Sequence, residues 1–373
     1  MSKREIIRRE RVSWEFALKW TKSPDQDFTV DGRGWPRGRR RIWTKETEKR
    51  IRSIHGFLSE NWSYTGSQAV IIEWGKRHPS DDPPPLRTVD QIMKDLHLST
   101  NRKKRNRRGT AKYLLYPEHT IYSLLGGRVL EADFVGHKFL KGRSKPVNFV
   151  GFSFKKAPRL RHYQRVEGQT TNCFIQECTR FFERFETPDY LKVDNCMATI
   201  GSANVKRNIS RTMEFLLQHQ ITPIFSVPRK PFSQASIEGN NSVFARKFWN
   251  RRTFQNLNEV DVQLEKFNQE SQGYLQYQKP EKPHVEKQFT PRIYFIRQVK
   301  ENKKLKRDKG YIEVLNEKIK LPTAYINYYV LAEWNLQKEQ ITIHLEKDQN
   351  QKTIKETTFK IDEKSKNRCI GFI

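Results

Sequence analysis

Three carboxylates stand out by their surroundings. Asp133 lies within Leu130-Glu131-Ala132-Asp133-Phe134-Val135-Gly136, an apolar stretch that reads as a strand. Asp194 closes Leu191-Lys192-Val193-Asp194-Asn195, and Glu238 lies in the first turns of a helix that opens near Ser233. Sixty residues separate the first two acids, and forty-three the second and third. A carboxylate among apolar strand neighbours is costly to desolvate unless something compensates it. A hard, oxygen-seeking dication such as Mg²⁺, which keeps several waters, would do so. Metal-assisted chemistry is therefore expected at Asp133, Asp194 and Glu238. Zinc chemistry is not, because Cys173, Cys178, Cys196 and Cys369 form no Cys-x-x-Cys pair and the nine histidines do not complete zinc-finger spacing. The four cysteines read as reduced thiols, mostly structural, with Cys196 beside the chemistry.

Several neighbours suit a polyanionic substrate. Arg229 and Lys230 precede the acid-bearing helix, and Arg246 lies eight residues after Glu238. Asn241, Ser242, Ala245 and Arg246 share the face of Glu238, whereas Ile237, Phe244 and Phe248 fall on another stripe and read as core. Asn195 and Asn241 are expected to support the acids by hydrogen bonding. His137, four residues after Asp133, reads as a structural histidine on the same strand face.

The elements that must position these residues alternate. Strands are expected over 129–136, 146–154, 160–166, 190–194 and 221–227, with helices over 168–185, 209–219 and 233–250. That order predicts an α/β core over 118–275, a mixed five-stranded sheet covered by helices. Ahead of it, 44–100 reads as three short helices. Ile51, Ile54 and Leu58 mark the first, Ala69, Val70 and Ile72 the second, and Thr88-Val89-Asp90-Gln91 is a capping box opening the third. Periodicity alone does not separate a helix-turn-helix from an ordinary three-helix bundle. The run that follows, with Arg102, Lys103, Lys104, Arg105, Arg107 and Arg108, favours DNA binding, since such an arm can lie along phosphates. Residues 101–117 are expected to be this basic linker. Residues 1–43 are expected to be a basic N-terminal helix and arm, with Trp14, Ala17, Leu18 and Trp20 on the helix and Arg39, Arg40 and Arg41 on the arm. After the core, 276–307 reads as a second basic linker. Short strands with turns at Asp308-Lys309-Gly310 and Asp348-Gln349-Asn350 predict a small β-barrel over 308–373. The whole is a multidomain α+β chain.

Bulk charge narrows the partner. Lys and Arg total 71 against 42 Asp and Glu, a formal charge of +29, and the pI is about 10.0. Solubility alone asks for a net charge of roughly 2–8 in a small domain. A polyanion, most commonly nucleic acid, is the expected partner. No apolar run approaches the length of a spanning helix and no signal peptide is evident, so no membrane partner and a cytoplasmic location are expected.

The three acidic segments, with Pro228-Arg-Lys-Pro231 leading into Ile237-Glu238-Gly-Asn240-Asn241, resemble the DDE transposase and retroviral-integrase superfamily. The resemblance is greatest to bacterial insertion-sequence transposases and covers 115–280. It departs at Cys196, where the family usually has Gly, and at Gln234-Ala235-Ser236, where it often shows Asn-Gly. The stretch 199–210 stands in for a longer loop between the second and third acids. The resemblance implies an RNase H-like core, an N-terminal helix-turn-helix and an SH3-like C-terminal barrel. It implies two Mg²⁺ ions, replaceable by Mn²⁺, held by Asp133, Asp194 and Glu238. The implied reaction nicks element-end DNA to free 3′-hydroxyls and joins them to target DNA. Double-stranded DNA is then the partner, with a homo-oligomer on DNA, an accessory target-selecting ATPase and a bacterial, nucleoid-associated setting all compatible. The alternatives are an RNase H-like nuclease without strand transfer, or a DNA-binding regulator derived from a transposase.

Overall fold

The computed structural model describes residues 3–10, 13–15, 43–99, 127–202, 204–280, 289–302, 309–347, 350–369 and 371. Arg39, Arg40, Arg41 and the basic residues of 102–108 lie outside these, as do Ala17, Leu18 and Trp20. The chain divides into two units, Met1–Ser53 and Ile54–Ile373. The first contains helix α1 (Lys3–Glu10) and the start of α2 (Lys45–Asn61). Thr44 caps α2 through its hydroxyl, which accepts from the Thr47 amide at 3.2 Å.

Within the second unit, α3 (Ser67–Arg77) and α4 (Leu86–Asp95) follow. The expected capping box does not open α4. The helix starts two residues before Thr88, behind Pro85, and no side chain caps it. Residues preceding a proline are kept out of the α region, so the connector ending at Pro85 stays extended and the helix begins immediately after it, at Leu86. Val89, Ile92 and Met93 face inward as expected. The connector between α2 and α3 is fastened to the core. The Ser63 amide donates to Glu270 Oε2 at 2.8 Å, and the Tyr64 and Ser271 hydroxyls pair at 2.8 Å.

A nine-stranded mixed sheet carries the rest. Its strands are β1 (Val129–Lys138), β2 (Val147–Phe154), β3 (Leu160–Val166), β4 (Tyr190–Val193), β5 (Thr222–Phe225), β6 (Arg292–Gln298), β10 (Tyr329–Asn335), β11 (Gln340–Lys347) and β12 (Asn350–Thr358). The order is β12-β11-β10-β6-β5-β4-β1-β2-β3. The expected five strands form one half, with β4 parallel to β1 and β5 parallel to β4. The second basic linker was expected to span 276–307. Instead β6 sits inside the sheet between β10 and β5, parallel to β5, with Ile293 to Arg297 buried. Nor do the C-terminal strands pair as a separate barrel. β10, β11 and β12 extend the core sheet antiparallel from β6, while β7 (Lys300–Glu301), β8 (Gly310–Val314) and β9 (Glu317–Leu321) make a second sheet. The physical reason is burial: one apolar cluster runs from Leu130 and Phe152 through Phe225 and Phe295 to Trp334 and Phe359. A free-standing barrel would have to divide it.

Helices α5 (Thr171–Arg184), α6 (Met197–Ile200), α7 (Arg211–Gln218), α8 (Ala235–Lys247), α9 (Leu257–Leu275) and α10 (Glu363–Cys369) complete the unit. Thr170 caps α5, Ser210 caps α7 and Asn256 caps α9, each accepting from a backbone amide three residues on. Helix α9 lies against β3, where the Asn268 side chain accepts from the Tyr163 amide at 2.9 Å and donates to its carbonyl at 2.8 Å. Because β3 is the last strand of the sheet, that amide supplies the partner a further strand would have given.

Candidate active site

Asp133 lies at the middle of β1, opposite Gly151 of β2. Asp194 follows the last residue of β4, the parallel neighbour of β1. Glu238 lies in the first turn of α8, which packs on β1 and β2. The three charges meet electrostatically at Asp133. Burial pushes its carboxyl up to about 7, and the negative charges of Asp194 and then Glu238 add to the rise. An amide donor, Asn241 Nδ2 at 3.0 Å from Asp133 Oδ2, works against it.

Packing explains why α8 reaches this place. Ile237, Phe244 and Phe248 are fully buried, as their stripe predicts. Phe244 meets Phe149 at 5.1 Å and Tyr163 at 4.3 Å between ring centroids, while Phe248 meets Phe267 of α9 at 5.4 Å. Polar contacts then fix the helix. Asn240 Nδ2 donates to Ser153 Oγ at 2.6 Å, and Asn240 Oδ1 accepts from Arg161 Nε at 2.9 Å. Asn241 Oδ1 accepts from the Tyr163 hydroxyl at 3.3 Å while its amide donates to Asp133. Gly151 leaves the room for this bridge: a Cβ there would come 2.7 Å from the Tyr163 ring and 3.3 Å from Asn241 Oδ1.

The loop after β4 is held as firmly. Asn195 Nδ2 donates to the Ser226 carbonyl at 2.7 Å, and its Oδ1 accepts from Arg297 Nη2 at 2.9 Å. Arg297, fully buried in β6, also donates to the carbonyls of Ser226 and Glu313. Burial pulls this guanidinium down to about 9. The Cys196 amide donates to Asp194 Oδ1 at 3.2 Å, and Thr199 Oγ1 donates to the Asp194 carbonyl at 2.8 Å. Burial, with the Asp194 charge, lifts the Cys196 thiol to about 11, so it is not a thiolate nucleophile. The expected longer loop begins with α6 and turns at Gly201, whose φ of 87° suits glycine.

Among the described residues, no three or more His, Cys, Asp or Glu are grouped closely enough to hold a metal ion as they stand. The expected three-carboxylate grip is therefore not closed. The three side chains are all carboxylates, the ligand chemistry of a hard dication rather than of zinc.

The remaining candidates are dispersed. Arg229, Lys230 and Arg246 are exposed, and Arg229 adopts a φ of 58° in the turn before α8. Arg246 Nε donates to the Ser242 carbonyl at 3.2 Å, one turn back. His137 is exposed and pairs through Nδ1 with Asn148 Oδ1 at 3.0 Å, where the β1–β2 register shifts. Sequence reasoning missed Glu131, Gly151, Tyr163, Lys192 and Arg297.

No protein-family model matches the chain, and no curated protein does. Among solved structures it is similar to a chain of the simian T-cell lymphotropic virus intasome in complex with a PP2A regulatory subunit. That match has 12% identity and a TM-score of 0.33, and covers 83% of this chain and 98% of that one. It is also similar to the HTLV-2 integrase catalytic core domain in complex with magnesium, at 12% identity and a TM-score of 0.25, over 36% of this chain and 81% of that one. Likenesses this loose say nothing of the present chain's activity. Among the described residues no helix is long and apolar enough to cross a membrane.

Proposed function

We propose that the chain is a DNA transposase of the DDE type, cutting element-end DNA and joining the freed 3′-hydroxyls to target DNA. The observation that carries the reading is the placement around Asp133 of β1: the acids after the end of β4 and in the first turn of α8 both act on its carboxyl, although they are far apart in sequence. Asp133, Asp194 and Glu238 are the residues that would hold Mg²⁺ or Mn²⁺. Bound there, two such ions would activate the attacking oxygen and stabilise the leaving 3′ oxygen of an in-line displacement. Asn241 orients the Asp133 carboxylate, and Asn195 with Arg297 fixes the backbone that presents Asp194. No covalent protein–DNA intermediate is required. The exposed Arg229, Lys230 and Arg246 are phosphate contacts in this reading, and the basic runs at 39–41 and 102–108 and the helices of 44–100 are proposed to bind DNA as well.

The test is a strand-transfer assay with pre-cut duplexes taken from the DNA that flanks the coding region. Wild-type chain is expected to give joined products. Asp133→Asn, Asp194→Asn and Glu238→Gln are each expected to abolish cutting and joining while leaving duplex binding intact. Cleavage without joining would replace the reading by a nuclease. Strand transfer at the wild-type rate in any of the three variants would remove that residue from the site.

A further inference from the structure

Directly beneath the acids in sequence register lies a second set of charges that the proposed chemistry does not use. Glu131 and Lys192 are both only 1% exposed, and Lys192 Nζ lies 3.6 Å from Glu131 Oε1. They are register partners on the parallel strands β1 and β4. Side chains alternate along a strand, so Glu131 shares a face with Asp133, and Lys192 with Asp194. The other oxygen of Glu131, Oε2, accepts from the Ile237 amide at 2.9 Å. Ile237 immediately precedes Glu238 in α8. One buried ion pair thus touches all three elements that carry the acids.

Stability is a poor explanation for such a pair. Desolvating two charges offsets most of their attraction, and an apolar pair of similar volume usually serves as well. What an apolar pair cannot supply is an acceptor for the Ile237 amide, at the positive end of a helix where a carboxylate is favoured. We propose that Glu131 and Lys192 are positioning residues: Lys192 aims the Glu131 carboxylate, and Glu131 fixes the first turn of α8 and with it the placement of Glu238 relative to Asp133 and Asp194. This rests on the reading of those three acids as the metal-holding site.

The test compares two double variants in the full-length chain. Glu131→Met with Lys192→Met keeps volume and removes both the charges and the acceptor. Glu131→Gln with Lys192→Met also removes the charges but leaves an amide oxygen for Ile237. The readouts are Mn²⁺-dependent nicking of a plasmid carrying the flanking DNA, the Mn²⁺ concentration at half-maximal rate, the Mn²⁺-induced rise in melting temperature, and plasmid affinity. The double-Met variant is expected to lose about tenfold or more in rate and to need about tenfold more Mn²⁺, the usual scale for groups that orient metal ligands. Its melting temperature should respond less to Mn²⁺, with plasmid affinity unchanged. The Gln–Met variant is expected to recover most of the loss. Should the double-Met chain fail to melt cooperatively, Glu131→Asp, which keeps both charges but shortens the arm, takes its place with the same expected direction. A variant lacking the acceptor that matches wild type in nicking and Mn²⁺ response overturns this proposal alone. Wild-type chain that neither nicks nor responds to Mn²⁺ overturns the metal-site reading and this proposal with it.

Discussion

Asp133 keeps its proton well above the usual carboxylate range, and the consequence is measurable without any substrate. Its pKa rises from an ordinary 3.8 to about 7, through burial first and the charges of Asp194 and Glu238 second. Between those values the folded chain holds a proton that the unfolded chain has released. Folding stability from this group is therefore present below pH 3.8 and is lost as pH rises through about 7. The melting temperature in EDTA is expected to carry this downward contribution across that window. Asp133→Asn should remove it, and a pH profile identical to wild type would contradict the assigned environment. The places of these acids, in β1, after β4 and in α8, were legible because apolar neighbours mark the strands in or beside two of them. Asn241 was legible because helical spacing puts it on the face of Glu238. Gly151, Tyr163, Glu131, Lys192 and Arg297 were not. Each matters through a contact across strands or between helix and sheet, and spacing within one segment does not encode cross-strand register.

At the scale of elements, one side chain closes the edge of the sheet at Tyr163 of β3. Asn268, 1% exposed on α9, satisfies both the amide and the carbonyl of Tyr163. Replacing it by Ala leaves both backbone groups without that partner in a buried place and is expected to cost about 1–3 kcal/mol. Urea unfolding reads this directly, and a midpoint equal to wild type would show that the edge needs no such closure. Helix α9 had readable signals: Asn256 three residues before Glu259 forms the cap, and Val260, Leu264 and Phe267 recur at helical spacing. Strand β6 had one too, the apolar run Ile293 to Ile296. It was hidden by basic residues on either side, which made the whole stretch read as linker. The capping box at Thr88 misled in the opposite direction, because a good cap sequence lost to a proline that had already set the helix start.

At the scale of the whole chain, the C-terminal strands complete the sheet that carries the acids. Chain ending near residue 280 would leave β5, all four residues of which are buried, as an unpaired apolar edge, and would remove Arg297 from Asn195. Such a chain is expected not to melt cooperatively, whereas a free-standing catalytic domain would. The alternation of strands and helices was enough to read a mixed α+β core. The continuity of the sheet was not readable, since it depends on pairing between β6 and strands far from it in sequence. The most direct measurement of the central claim is anomalous diffraction from crystals of the full-length chain grown with Mn²⁺. Asp133, Asp194 and Glu238 are expected to surround the strongest peaks, and Asp133→Asn crystals should lose them. Mn²⁺ bound elsewhere, with these three carboxylates left bare, would contradict the account.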